Sequence, residues 1–150
     1  MSELSALYQQ LIVDHTKRPR NFHSIANPTS QAEGFNPLCG DQVIVYLVRE
    51  NDTITNASFT GSGCAICTAS ASIMTQLLKG KTAEQVSGIF VIFRDLVMGK
   101  VEPLQVAESL EKLTVFAGVR DYPARVKCAT LPWHTIKAAL DGKGQAITTE

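Results

Sequence analysis

No segment of the 150-residue sequence approaches the roughly 20 consecutive apolar residues that a membrane-spanning helix needs, so no membrane association is expected. There is no excess charge of either sign. Lysine plus arginine and aspartate plus glutamate number 14 each, which leaves no basic field to draw in nucleic acid. Charged residues make up 19% and apolar residues 45%, the balance of a chain that folds. The opening "MSELSALYQQLIVDHTK" carries charges through its apolar pattern and does not read as a signal peptide. The expected location is therefore cytoplasmic. There is no internal repeat and no low-complexity segment, and residues 1–150 read as a single domain. Cysteine is scarce too, with four in all. In a reducing compartment, so few cysteines point to metal or thiol chemistry more than to structural disulfides.

The apolar pattern places a helix first. Leu4, Leu7, Tyr8, Leu11 and Ile12 share one stripe, Ser2 is a capping residue and Pro19 ends the element. Turn formers fill 27–41, with room for a short strand near Gln31–Phe35. "DQVIVYLVRE" is apolar on both alternating faces and predicts a well-buried strand, "NDT" a turn, and "TITNASFTG" the returning strand of an antiparallel meander. "GSG" (61–63) stops the sheet, and "CAICTASASIMTQLLKG" is a helix ended by Gly80. A second helical stretch starts at Thr82 with a capping-box Gln85, a third covers "PLQVAESLEKLTVFAGV", and a last one, "ATLPWHTIKAALDG", is capped by Thr130 and stops before Gly142. The sum is a two-layer α+β domain with helices on one face of the sheet.

"GSGCAICTASAS" holds Cys64 and Cys67 in a C-x-x-C spacing. Such a pair can be a redox switch, half of a zinc site, or one working thiol beside a bystander. Cys64 opens one predicted helix and Cys128 precedes another, and helix N-termini favour thiolate. Cys39 lies in a turn, and Asp41 faces the same side two residues on, with Gly40 between them to let the backbone bend close to what they hold. Cys39, Asp41, Cys64 and Cys128 thus form a candidate tetrahedral zinc set of three sulfurs and one oxygen. Its formal charge of about −2 is costly to desolvate, and Arg125 and Lys127 stand close enough in sequence to offset it. Cys67, one turn after Cys64, reads first as a small packed residue, second as an accessory thiol and third as a metal ligand in its own right. A thioredoxin-like reading lacks the βαβ pattern that should surround the pair. His15, His23 and His134 read as surface or satisfied core groups, Trp133 with Pro132 as core, and "TKRPRNF" (16–22) as a solvated segment or a local docking patch.

The segments "LYQQLIVDHTKRPRNF", "NPLCGDQVIVYL", "FTGSGCAICTASASIMTQLLKGK" and "RVKCATLPWHTIKAAL" together resemble the iron–sulfur cluster assembly family of IscU, SufU and NifU N-terminal domains. The resemblance implies a three-stranded antiparallel sheet packed with helices, a SufE/NifU-like fold. It also implies that the family's three cysteines and aspartate fall on Cys39, Cys64, Cys128 and Asp41, with Cys67 outside the set. Scaffold-type IscU proteins carry a histidine just before the third cysteine and an L-P-P-V-K chaperone-docking motif. This sequence has Lys127 and "DYPARVK", with extra sequence over 94–118, features similar to the SufU type.

That subgroup implies a zinc-dependent acceptor of persulfide sulfur from a SufS-type cysteine desulfurase, with Cys39 as the attacking and carrying thiol and downstream Suf scaffold proteins as recipients. One alternative is a scaffold on which a [2Fe–2S] cluster, or iron, sits on the same ligands. Another is a zinc-stabilised binding module or a C-x-x-C redox protein.

Overall fold

The computed structural model describes residues 3–142 and 147–148, with the side chains of 9–142. The capping role expected of Ser2 lies outside the described residues. In chain order the elements are α1 (Glu3–Lys17), β1 (Ser30–Asn36), β2 (Asp41–Glu50), β3 (Thr53–Ser62), α2 (Ala65–Leu78), α3 (Ala83–Val97), α4 (Pro103–Leu110), a 3-10 segment (Glu111–Asp121), α5 (Pro123–Leu140) and the two-residue β4 (Ile147–Thr148). The three long strands form the expected antiparallel meander, and β4 adds to β1 in parallel, giving the order β3-β2-β1-β4. Among the described residues no helix is long and apolar enough to cross a membrane.

The cross-strand register aligns Ala32 with Val45 and then Phe59, and Gly34 with Val43 and then Gly61. This is the covered face, where Ala32, Val43, Val45, Leu47, Ala57 and Phe59 are buried. The other face of β2 (Ile44, Tyr46, Val48) is only half-buried, which corrects the expectation of a strand buried on both sides. Its alternation was apolar throughout, but helices cover only one side. α5 lies across β1 and β2 while α2 lies on β3. Gly34 makes the first contact possible, because a Cβ there would run into the Thr135 hydroxyl and the Leu131 methyl. Trp133 and Phe93, with centroids 5.4 Å apart, and Phe116 behind Phe93 fill the space between α3, α5 and the 3-10 segment.

The helix bounds differ from the sequence expectation in two places. The stretch starting at Pro103 is not one helix. It stops at Leu110, and Glu111 takes φ 51° before the chain tightens into the 3-10 segment. Residues Leu113–Ala117 are all buried, and five consecutive buried residues cannot share the single stripe of an α-helix. The last helix begins at Pro123, seven residues before the expected cap at Thr130, because proline is well suited to the first helical turn. Thr130 instead turns its hydroxyl back to donate to the carbonyl of Val126. By contrast, α3 keeps the full capping box of Thr82 and Gln85.

Candidate metal centre

Four elements meet at one end of the covered face. Asn36 ends β1 and pairs across the sheet with Asp41, the first residue of β2. Asparagine followed by proline is a strong turn start, and the Asn36 carbonyl accepts the Cys39 N–H at 3.2 Å. Gly40 then adopts φ 72°, a left-handed value that favours glycine. A Cβ at Gly40 would meet nothing within 4 Å. Within the protein itself, the left-handed φ is what favours glycine there. This turn sets the half-buried Cys39 beside the buried Asp41.

Cys128 reaches the same point from α5, its sulfur 3.2 Å from that of Cys39. Donor atoms of Cys39, Asp41 and Cys128 all lie within 4.8 Å of one another. Cys64 caps α2 from the fourth side. Its backbone N–H donates to Asp41 Oδ1 at 2.8 Å, and its sulfur stands 3.9 Å from Asp41 Oδ2. Gly63 leaves the carboxylate its room, since a Cβ there would stand 2.9 Å from Oδ1.

The electrostatics separate the cysteines. Cys64 is at a helix N-terminus as expected, but Cys128 is not, because α5 began earlier and Cys128 lies in its second turn. It is fully buried, and the free N–H groups of the helix N-terminus lie more than a turn away. Burial first, then hydrogen bonding with Cys39, pushes its pKa up. Pro132, inside α5, also lacks the N–H that would bond the Cys128 carbonyl. Cys67, 3% exposed, is pushed up as well, by burial and then by the negative charge of Asp41, Cys64 and Cys39.

Arg125 faces the cluster. The charge of Cys64, then its contact with the Cys128 thiol, raises its pKa. Among the described residues Lys127 makes no hydrogen bond or ion pair with its side chain, whereas Arg125 interacts with the Cys128 thiol. His15 and His134 stand apart from this cluster: His15 bonds Ser72, and His134 packs edge-on against Phe90.

Sequence reasoning missed Asn36. Fully buried, it donates from Nδ2 to Cys128 Sγ at 3.4 Å, while its Oδ1 has no partner. The N-P pair signalled a turn, but nothing local signalled that the Asn36 side chain would turn inward to a sulfur 92 residues away. Gly63 was missed for the same reason. The thiols of Cys39 and Cys128 and the Asp41 carboxylate are gathered against few donors, and the Cys64 thiol, outside that mutual 4.8 Å set, approaches it through Asp41. Such a donor set fits a thiophilic divalent cation such as Zn²⁺.

The sequence profile described as NifU-like N terminal domain matches residues 7–129. The chain is 35% identical over 146 residues to the iron–sulfur cluster assembly scaffold protein IscU of Streptococcus pyogenes serotype M1, covering 97% of this chain and 90% of that protein. It is 38% identical over 139 residues to the zinc-dependent sulfurtransferase SufU of Bacillus subtilis, covering 93% and 92%. The crystal structure of a candidate cluster assembly scaffold protein for the SUF system from Fervidobacterium islandicum AW-1 superposes with a TM-score of 0.82 at 33% identity, covering 90% of this chain and 97% of that one.

Proposed function

From a chain that belongs to the NifU-like N-terminal domain family, we propose a zinc-dependent sulfur acceptor that serves a cysteine desulfurase of the SufS type in iron–sulfur cluster assembly. In this reading residues 1–150 act as one domain. Cys39, Asp41, Cys64 and Cys128 hold the ion, and the sulfur is passed on to downstream Suf scaffold proteins.

The observation that carries the reading is the placement of Cys39. It shares the donor cluster, yet sits on a turn whose neighbour Leu38 is 69% exposed, whereas Cys128 is fully buried. A thiol that must reach a partner's persulfide belongs on such a turn. When bound, Zn²⁺ would keep the cluster's thiols ionised at neutral pH. The transfer itself belongs to Cys39. Its thiolate attacks the outer sulfur of the partner's persulfide, a new S–S bond forms, the old one breaks, and the partner's thiolate leaves. Asn36 and Arg125 steady the negative charge beside it, the first through its bond to Cys128 Sγ and the second through its own positive charge. Lys127, where scaffold-type relatives carry histidine, and the extra segment over 94–118 support transfer over scaffolding.

The test is to incubate the zinc-loaded protein with a SufS-type desulfurase and cysteine. A reductant-labile gain of one sulfur, about 32 Da, should map to Cys39 and vanish in Cys39→Ala, along with any stimulation of desulfurase turnover. A persulfide on Cys64 or Cys67 with Cys39→Ala still active overturns the assignment. The same ligands also suit a [2Fe–2S] cluster, and the name of the Streptococcus relative favours that second reading. A brown, cluster-bearing Asp41→Ala protein would favour the scaffold.

A further inference from the structure

The C-x-x-C pair is only half absorbed by the metal set, for Cys67 has no place in it. Cys64 is the N-cap of α2 and Cys67 stands three residues on, with its backbone N–H donating to Cys64 Sγ at 3.4 Å. N-cap and third-residue side chains face each other, as a capping box does. Residues three apart on a helix bring their Cβ atoms to about 5–6 Å, and a disulfide draws them in to about 3.5–4.5 Å. The two sulfurs therefore need side-chain rotation and a slight tightening of one turn to meet. Their access differs. Cys64 is half-buried, while Cys67 is 3% exposed and borders a small void with Gly63, Thr68 and Ala71. One thiol can be reached from solvent, and the other waits behind it.

We propose that Cys64 and Cys67 form an oxidisable dithiol: a peroxide attacks Cys64, Cys67 closes a disulfide on it, and the bound ion loses a ligand and is released. In the first step the Cys64 thiolate attacks a peroxide oxygen, forming an S–O bond as the O–O bond breaks and hydroxide leaves. The Cys67 sulfur then displaces the hydroxyl from the Cys64 sulfenic acid, forming S–S, and water leaves with the Cys67 proton. The thiolate and the thiol together lose two electrons, and hydrogen peroxide becomes one hydroxide, which takes a proton from solvent, and one water. A dithiol reductant reverses the change, so Cys67 protects Cys64 from irreversible oxidation. The rival pair is Cys39 with Cys128, whose sulfurs are 3.2 Å apart. Both belong to the metal set, however, whereas Cys67 remains a free thiol with the ion in place. The release step rests on the metal reading above, and the disulfide does not.

The experiment treats zinc-loaded protein with limiting hydrogen peroxide, blocks remaining thiols by alkylation and maps the peptides. The expected result is a loss of about 2 Da, two hydrogens, in the peptide holding Cys64 and Cys67. Zinc should appear in step with it in a chromogenic chelator, and dithiothreitol should reverse both. Cys67→Ala should bind zinc beforehand but let Cys64 proceed to a sulfinic acid that the reductant does not remove. Cys67→Ser serves as the second variant if the alanine weakens the fold. A first disulfide between Cys39 and Cys128, or full recovery of Cys67→Ala after peroxide, overturns the proposal. Metal-free protein run in parallel separates the two premises. A 64–67 disulfide there, with no zinc lost from loaded protein that oxidises equally, overturns the release step and Cys64 as a ligand, and no such disulfide in either sample overturns the dithiol itself.

Discussion

Two polar clusters are buried along α2. Midway along the helix, Ser72 Oγ lies 2.6 Å from His15 Nδ1 and accepts the Arg20 N–H at 2.8 Å. One turn on, Thr75 Oγ1 donates to the Ser72 carbonyl at 2.9 Å and accepts from Asn21 Nδ2 at 3.1 Å. Donors and acceptors match there, and the group ties α1 and the following loop to α2. At the N-terminus of the same helix, the sulfurs of Cys39 and Cys128 and the Asp41 carboxylate converge, Cys64 Sγ stands 3.9 Å from that carboxylate, Asn36 Oδ1 is left without a partner, and the donors are a few N–H groups and Arg125. Buried polar groups are costly unless satisfied. A closed network is a clamp, and one rich in acceptors invites a cation from outside the chain.

The sharpest way to break this contrast is to remove a sulfur from the open cluster. Cys64→Ala and Cys128→Ala should each drop zinc from about one ion per chain to little or none. Because metal binding adds to folding, the midpoint of thermal melting should fall by roughly 10–20 °C, several kcal/mol. Metal analysis and melting curves check this, and full zinc in both variants would sink the ligand set.

His15→Ala should do the reverse, leaving the zinc content intact while costing about 2–3 kcal/mol in urea unfolding, from a lost buried ring and an unpaired Ser72. The pH dependence sharpens the point. Burial, then the charges of Arg20 and Lys112, lowers the His15 pKa from 6.5 to about 4. Between those values the unfolded chain binds the extra proton, so stability is full above about 6.5 and declines as pH falls towards about 4. In chelator-treated protein that decline should be up to about 3 kcal/mol and should flatten in His15→Ala. An unchanged slope would show that the ring is not held neutral.

Smaller effects should come from the groups behind the proposed ligands. Asn36→Ala removes the donor to Cys128 Sγ and should weaken zinc binding about tenfold, read by competition with a chelating dye. Gly63→Ala should shift the Asp41 carboxylate and loosen the ion with under about 1 kcal/mol of stability lost. Gly88→Ala, exposed in α3 with open space around its Cβ position, should leave the zinc alone and gain about 0.5–1 kcal/mol.

Much of the fold was legible because its signals are local. The alternation in β2, the Thr82–Gln85 box and the Gly80 stop each depend on neighbours in sequence, and each element is where those signals put it. The start of α5 was misread because Pro123 was passed over in favour of Thr130. The break at Glu111 was hidden because its cause is the packing of Leu113–Ala117, which no periodicity reveals. At the site, residue type alone marked the candidates, and the structure brings Cys39, Asp41 and Cys128 together. Their distances and the inward turn of Asn36 were not written in any window of sequence.

By itself the sequence determined which residues can ligate, which turn carries Cys39, and which helix Cys64 opens, since residue type and short-range backbone preference suffice for those. Only the tertiary structure decided that Cys128 would be buried with its pKa raised rather than lowered, that Arg125 would face the sulfurs, and that Cys67 would stand behind Cys64. The physical reason is that burial and charge–charge distance belong to the packing of α2 and α5 against the end of the sheet, between residues up to 92 positions apart, and no local rule sets either.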